Sequence, residues 1–123
     1  MENDKSKFKK DFKNRLYKFV IKLVELIDKL PKDRVGFRIG DQLLRSGTSI
    51  LGNYIEAESA SSKRDSTNSF NTSLKSTNES KLWIAVLRDT KRISIEDAQW
   101  FLKELEEFAN IFASSILTLK GKK

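Results

Sequence analysis

The chain has 123 residues, 38% of them hydrophobic and 33% charged, with a formal net charge of +7, which fits one globular domain spanning 1–123. It contains no cysteine and no histidine, which excludes disulfides, thiol chemistry and imidazole proton shuttles or metal ligands. Because no apolar run approaches the roughly 20 residues that span a bilayer and no secretory signal is visible, we expect a cytoplasmic location.

The first predicted helix runs from Phe8 to Leu30, where apolar residues recur with a helical period. It ends before Pro31, because proline disfavours helical geometry at the residue that precedes it. Its apolar face is unusually wide, since Tyr17, Ile21 and Val24 extend it. We therefore expect this helix to contact two neighbours.

The second predicted helix, Arg34 to Ala57, has a broad apolar face and a polar stripe that carries arginines. Gly36, Gly40 and Gly47 lie in the middle of the apolar face. Each glycine costs an isolated helix about 1 kcal/mol relative to alanine, so packing must offset the loss. We expect a neighbouring helix to approach closely at these positions.

The third predicted helix, from about Asp65 to Asp89, begins in a segment rich in serine, threonine and asparagine. Those residues compete for backbone hydrogen bonds and favour a loop. A structureless loop of this length is unusual in a compact domain, however, and Phe70, Leu74 and Ile84 keep helical spacing. The run 82–87 would suit a buried strand, but no partner strand is predicted for it.

A capping motif at Ser94 and Asp97 precedes the fourth predicted helix, which ends at Gly121. Four helices of similar length with short links predict an all-α fold, an antiparallel up-down four-helix bundle. In that topology the chain start, the link between the second and third helices, and the chain end meet at one end of the bundle.

The first candidate binding surface is the group of basic side chains that this topology gathers at that end. The positive net charge favours an acidic partner, with RNA or DNA ahead of a membrane surface. Phosphate binding and a simple solvated surface both remain open interpretations. The predicted nucleic-acid-binding residues here are Lys9, Lys10, Lys13, Lys63 and Arg64, with Lys5, Lys7, Lys120, Lys122 and Lys123 around them.

A second candidate phosphate-binding surface is the stripe formed by Arg34, Arg38 and Arg45. Asp41 lies three residues after Arg38 and four before Arg45, which is also the spacing of ion pairs within a helix. An ion-pair ladder in the second helix, or a contact between subunits, is therefore the alternative interpretation.

Four aromatic residues are candidates for stacking on bases: Tyr17, Tyr54, Trp83 and Trp100. Both tyrosines lie on apolar faces, so we expect them to pack in the core instead. Trp100 sits off the main apolar stripe of its helix, and we expect it to be exposed or to meet another subunit.

No catalytic, metal or cofactor site is predicted. Ser46, Thr48 and Ser49 have no histidine to act as a base, and a di-iron site would need Glu-x-x-His motifs. The glycines are spread along a helix and do not form a phosphate-cradling turn. We expect no enzyme activity and no cofactor.

Residues in the second and third helices carry a family resemblance. They are the segment RSGTSI at 45–50, then Asn53, Glu56, Ala57, Phe37, Gln42, Leu43, Leu44, Asn78, Glu79, Leu82 and Trp83. Together they resemble the signature of the four-helix-bundle proteins encoded in intervening sequences of bacterial 23S ribosomal RNA genes. The chain departs from that family at Ser76, where an acidic residue is common, and in the polar start of the third helix.

The resemblance implies a four-helix bundle, often a ring-shaped homopentamer, with a role thought to involve RNA. A related protein of diversity-generating retroelements has a similar fold and binds a reverse transcriptase and nucleic acid. We therefore expect a non-enzymatic RNA-associated homo-oligomer. The alternative is a protein-interaction scaffold or reverse-transcriptase accessory protein with no direct RNA role.

Overall fold

The computed structural model describes residues 3–121 and folds them into four α-helices joined by short links. The helices are α1 (Asp4–Asp28), α2 (Arg34–Ser59), α3 (Lys63–Asp89) and α4 (Ile95–Leu119). Since the described residues contain no strand, the all-α prediction is confirmed, including the helix in the polar third segment. Within the same residues, no helix has an apolar stretch long enough to cross a membrane.

A side-chain cap begins each helix and satisfies a backbone N–H group that a helix start leaves without a partner. The predicted cap of α4 is confirmed, because Ser94 Oγ accepts from the Asp97 amide at 3.0 Å. At α2, the Gly36 amide and the Arg92 guanidinium hold the pKa of the Asp33 carboxyl below its usual value. The four caps are Asn3, Asp33, Ser62 and Ser94.

Neighbouring helices run in opposite directions. In each pair, a residue near the start of one helix contacts a residue near the end of the other, as the predicted up-down bundle requires. Representative contacts are the ion pair Lys9–Glu58, the hydrogen bond from the Ser66 hydroxyl to the Ala57 carbonyl, and the ring pairs Phe70–Phe112 and Phe12–Phe112.

Aromatic rings fill the core between α1 and α4. Phe12 and Phe19 lie edge-on to Phe108, with ring centroids 5.8 and 5.3 Å apart, and Phe108 has no exposed surface. Tyr54 of α2 lies edge-on to Phe12 at 5.1 Å. Burial, together with the nearby charge of Glu58, raises the pKa of Tyr54 to about 12, so the phenol stays neutral in this core.

Two glycines of α2 allow α1 to come close. A Cβ atom at Gly47 would overlap Leu23 Cδ2, and one at Gly40 would lie 3.4 Å from side-chain atoms of Ile27 and Leu30. Both glycines are buried. The predicted close approach of a helix is therefore confirmed at these two positions, where α1 takes the space left by the missing side chains. At Gly36 the close neighbour is instead the Pro31 carbonyl oxygen of the link.

Hydroxyl groups line much of the contact between α2 and α3. Ser46 Oγ lies 2.8 Å from Ser80 Oγ, and the Ser76 hydroxyl donates to Ser49 Oγ at 2.8 Å. Ser73 donates to an α2 backbone carbonyl at 3.0 Å. We call these five residues the serine seam. Their small side chains let the two backbones approach, and each hydrogen bond offsets the cost of burying a hydroxyl. A segment with loop-like composition is helical here for that reason.

The link between α3 and α4 places a lysine in the left-handed region, since Lys91 has φ 59°. Its amide donates to the Arg88 carbonyl at 3.0 Å, and the Arg92 amide donates to the Leu87 carbonyl at 2.8 Å. This is a Schellman motif, whose left-handed position usually holds glycine because a Cβ atom is strained there.

We expect Lys91→Gly to raise the free energy of unfolding by about 1 kcal/mol, because it removes the Cβ atom from a left-handed position. Urea denaturation at fixed protein concentration measures the change. Lys91→Ala removes the same charged side chain but keeps the Cβ atom. An equal gain in that control would contradict the explanation.

Candidate nucleic-acid interface

The start of α1, the α2–α3 link and the end of α4 lie together at one end of the bundle, as the topology predicts. We call this region the basic end. The three segments share a cavity of about 520 Å³, whose wall includes Lys5, Lys9 and Lys63 together with side chains from 114–119. Residues 122–123, which were predicted to join the cluster, lie outside the described residues.

The side chains predicted to bind nucleic acid at the basic end all reach the surface. Lys9 Nζ forms an ion pair with Glu58 at 3.3 Å, so part of its charge is offset. Asp4, Asp11 and Asp65 also lie among the basic residues and are exposed. Basic groups nevertheless outnumber acidic ones, which leaves the region positive. The exposed predicted residues are Lys9, Lys10, Lys13, Lys63 and Arg64.

The arginine stripe of α2 is exposed, but its members differ. Arg45 donates to Glu79 of α3, and Glu79 also accepts from Trp83 Nε1 at 2.9 Å. Within residues 3–121, no ion pair joins Asp41 to Arg38 or Arg45. The ladder within α2 that the spacing suggested is therefore replaced by a link between α2 and α3, and Arg45 has less free charge to offer a phosphate.

One expectation for the aromatic residues is wrong, and another is tested only in part. Tyr54 is buried as predicted, but Tyr17 is 59% exposed. Tyr17 lies about 100° around α1 from the row of buried residues, beyond the side that α2 covers. Trp100 is half-buried: its ring stacks on Phe19 at 6.2 Å, and Lys22 Nζ lies over it at 5.2 Å. It is therefore not one of the exposed aromatic residues, and its contact with another subunit stays a prediction.

An apolar face that no other part of residues 3–121 covers lies on the outer side of α1 and α2. It flanks the contact between Leu23 and Gly47, where the two helices meet closely. Contiguous exposed apolar surface usually marks an interaction site. This α1–α2 apolar face consists of Tyr17, Ile21, Val24, Phe37, Leu44 and Ile55, which are 39% to 59% exposed. The two neighbours expected for α1 are α2 and α4, but neither of them covers Tyr17, Ile21 and Val24.

The hydroxyls considered as nucleophiles take part in the packing of the helices. Ser46 and Ser49 belong to the serine seam, and Thr48 donates to the Leu44 carbonyl at 2.7 Å. Across residues 3–121, no group of three or more acidic, histidine or cysteine side chains is placed to hold a metal ion. That the protein is not an enzyme stays a prediction.

Comparison with known proteins assigns the family. The model of the family described as 23S rRNA-intervening sequence protein matches residues 9–114. The chain belongs to that family. A crystal structure of a protein of unknown function from the S23 ribosomal protein family of Bacteroides thetaiotaomicron VPI-5482 is 34% identical, with a TM-score of 0.79. The match covers 85% of this chain and 96% of that one. No curated protein matches.

The resemblance that the sequence predicted is thus confirmed, and the structure explains what the signature RSGTSI does in this member of the 23S rRNA-intervening sequence family. Arg45 reaches Glu79, Ser46 and Ser49 join the serine seam, and Gly47 admits α1. The signature therefore positions three helices against one another.

Proposed function

We propose that this protein is a non-enzymatic, RNA-associated member of its family that works in the cytoplasm as a homo-oligomer. The observation that carries the RNA part is the basic end, where Lys5, Lys9 and Lys63 from two segments border one cavity. Lysines that neutralise phosphates release counterions, which makes binding favourable at low salt and independent of sequence. The 23S rRNA description of the family agrees with RNA as the partner.

The α1–α2 apolar face supports self-association. Its residues are too exposed to contribute fully to the core of a single chain, and a second copy is the one partner always present at equal concentration. The family resemblance favours a pentamer. In such an assembly, several basic ends would act on one RNA and strengthen binding by avidity.

The RNA part predicts salt-dependent binding. Fluorescence anisotropy with a labelled single-stranded RNA is expected to show affinity that falls by at least about tenfold between about 50 and 200 mM salt. The double variant Lys63→Ala, Arg64→Ala is expected to bind more weakly and with a smaller salt slope. The matched control is Lys29→Ala, Lys32→Ala, which removes the same charge from the opposite end. No binding at low salt, or equal loss in both variants, would refute the proposal.

The assembly part predicts a solution mass well above the 14.2 kDa of one chain. Light scattering after size exclusion measures it directly. Ile21→Glu with Leu44→Glu is expected to lower the mass to that of a single chain, because two buried carboxylates oppose the contact. Leu82→Glu, on an exposed site of α3, is the control. A wild-type mass equal to one chain would contradict the proposal.

The second candidate function is a protein-interaction scaffold, or a reverse-transcriptase accessory protein, with no direct RNA role. The α1–α2 apolar face favours it as well, since such a face suits a protein partner. A stable oligomer that binds no RNA even at low salt would support this alternative.

A further inference from the structure

The wall of the cavity at the basic end carries two sets of hydrogen-bonding groups, besides the Glu58 carboxylate, which is paired with Lys9 at 3.3 Å. The cavity is an open depression with a volume of about 520 Å³. Its lining includes lysine ammonium groups and hydroxyl groups from α3 and α4. The direction of each existing hydrogen bond decides whether a hydroxyl can still donate to a ligand or only accept from it.

The groups of the first set can donate hydrogen bonds to a ligand. Lys5 and Lys63 contribute ammonium groups, which are donors without acceptor capacity. Ser62 Oγ accepts from the Asp65 amide at 3.1 Å, so its own hydrogen remains available. Donors and positive charge together suit an anionic oxygen group, and a phosphate is such a group.

The second set has already committed its hydrogens. Ser66 donates to the Ala57 carbonyl at 3.0 Å, Ser115 to the Ile111 carbonyl at 2.9 Å, and Thr118 to the backbone at 3.1 Å. A hydroxyl whose hydrogen is used this way retains acceptor lone pairs. These three groups therefore suit a ligand that brings its own O–H donors, as a ribose does.

We infer that this cavity binds the phosphorylated end of an RNA strand, with the phosphate at Lys5, Lys63 and Ser62 and the free ribose 2′-hydroxyl toward Ser66 and Ser115. A terminal nucleotide fits a concave site of this size because only one strand has to lead out. A terminal phosphate also carries close to two charges at neutral pH, against one for an internal diester, because its second pKa is about 6. The inference rests on the proposed RNA association and specifies which part of the RNA is recognised.

The test uses two forms of one unstructured RNA of about ten nucleotides, the first ending in a phosphate and the second in a hydroxyl. Their binding to the full chain is compared by anisotropy competition. The terminal phosphate, placed at whichever end of the strand the protein prefers, is expected to strengthen binding about tenfold. That is the effect of one or two charge-assisted hydrogen bonds. Lys63→Ala is expected to abolish that preference. Lys75→Ala, an exposed lysine of α3 that does not line the cavity, is expected to keep it.

Two further arms separate the possible ligands. DNA with the same sequence and the same terminal group is expected to bind the wild-type protein more weakly than RNA does. Ser115→Ala is expected to reduce this difference in affinity. Adenosine 5′-monophosphate is expected to compete poorly, and competition as strong as that of the RNA would instead assign the cavity to a free nucleotide. If the RNA with a terminal phosphate and the RNA with a terminal hydroxyl bound equally well, and with normal salt dependence, this inference would be overturned and the proposed function would remain intact. Absence of any binding at low salt would remove both.

Discussion

Phe108→Ala is expected to lower the free energy of unfolding by about 3 to 5 kcal/mol, a large share of the stability of a domain this size. The ring has no exposed surface and lies edge-on to Phe12 and Phe19. The Arg15 guanidinium also lies 5.3 Å from its centroid. Truncation therefore leaves a cavity and removes ring contacts on several sides, since a close-packed core relaxes only in part.

Chemical denaturation at fixed protein concentration measures this loss, because self-association would make the midpoint depend on concentration. The matched control is Phe8→Ala, which removes a ring that is 54% exposed and stacks only on Phe12 among the described rings. Its expected cost is below about 1 kcal/mol. Similar losses in the two variants would show that the aromatic core is not where stability is concentrated.

Gly47→Leu is expected to destabilise the bundle by about 2 to 3 kcal/mol through overpacking. A Cβ atom at this position already overlaps Leu23 Cδ2, and Leu23 is itself fully buried. The larger side chain therefore forces α1 away from α2 or forces Leu23 out of its rotamer. The loss outweighs the gain of about 1 kcal/mol in helix propensity that leucine brings.

Gly52→Leu is the matched control in the same helix. No atom lies within 4 Å of a Cβ built at Gly52, so the substitution meets open space. It is expected to raise the free energy of unfolding by about 0.5 to 1 kcal/mol, the propensity term alone. Destabilisation by both leucines, measured by the same denaturation, would mean that glycine is needed along α2 for a reason other than the approach of α1.

The helices of this protein could be predicted because most carry their own periodicity and start signals. Ser94 and Asp97 marked the start of α4, and the glycines of α2 marked where α1 would come close. For α3 the local propensity was misleading, and the argument against a long loop decided the assignment. The serines there are helical because their hydroxyls find partners on α2, which no single segment reveals.

The surface was harder to predict than the fold. The position of Tyr17 on a wide apolar face did not show how far around α1 its neighbour extends, and the ring is exposed. Arg45 had an acid at the right spacing within its own helix, yet it bonds to Glu79 on the next one. The split of hydroxyls at the basic end into donors and acceptors depends on backbone carbonyls that only the folded chain supplies.

The serine seam also constrains how the sequence of this protein can vary. If Ser46 alone became alanine, Ser80 would keep a buried hydroxyl with its partner gone, whereas replacing both costs little because shape is nearly preserved. Ser49 and Ser76 differ, because Ser49 is half-buried and its hydroxyl also accepts from Asn53 Nδ2 at 3.0 Å. Among relatives of this chain, substitutions at positions 46 and 80 should therefore occur together, whereas position 76 can change alone.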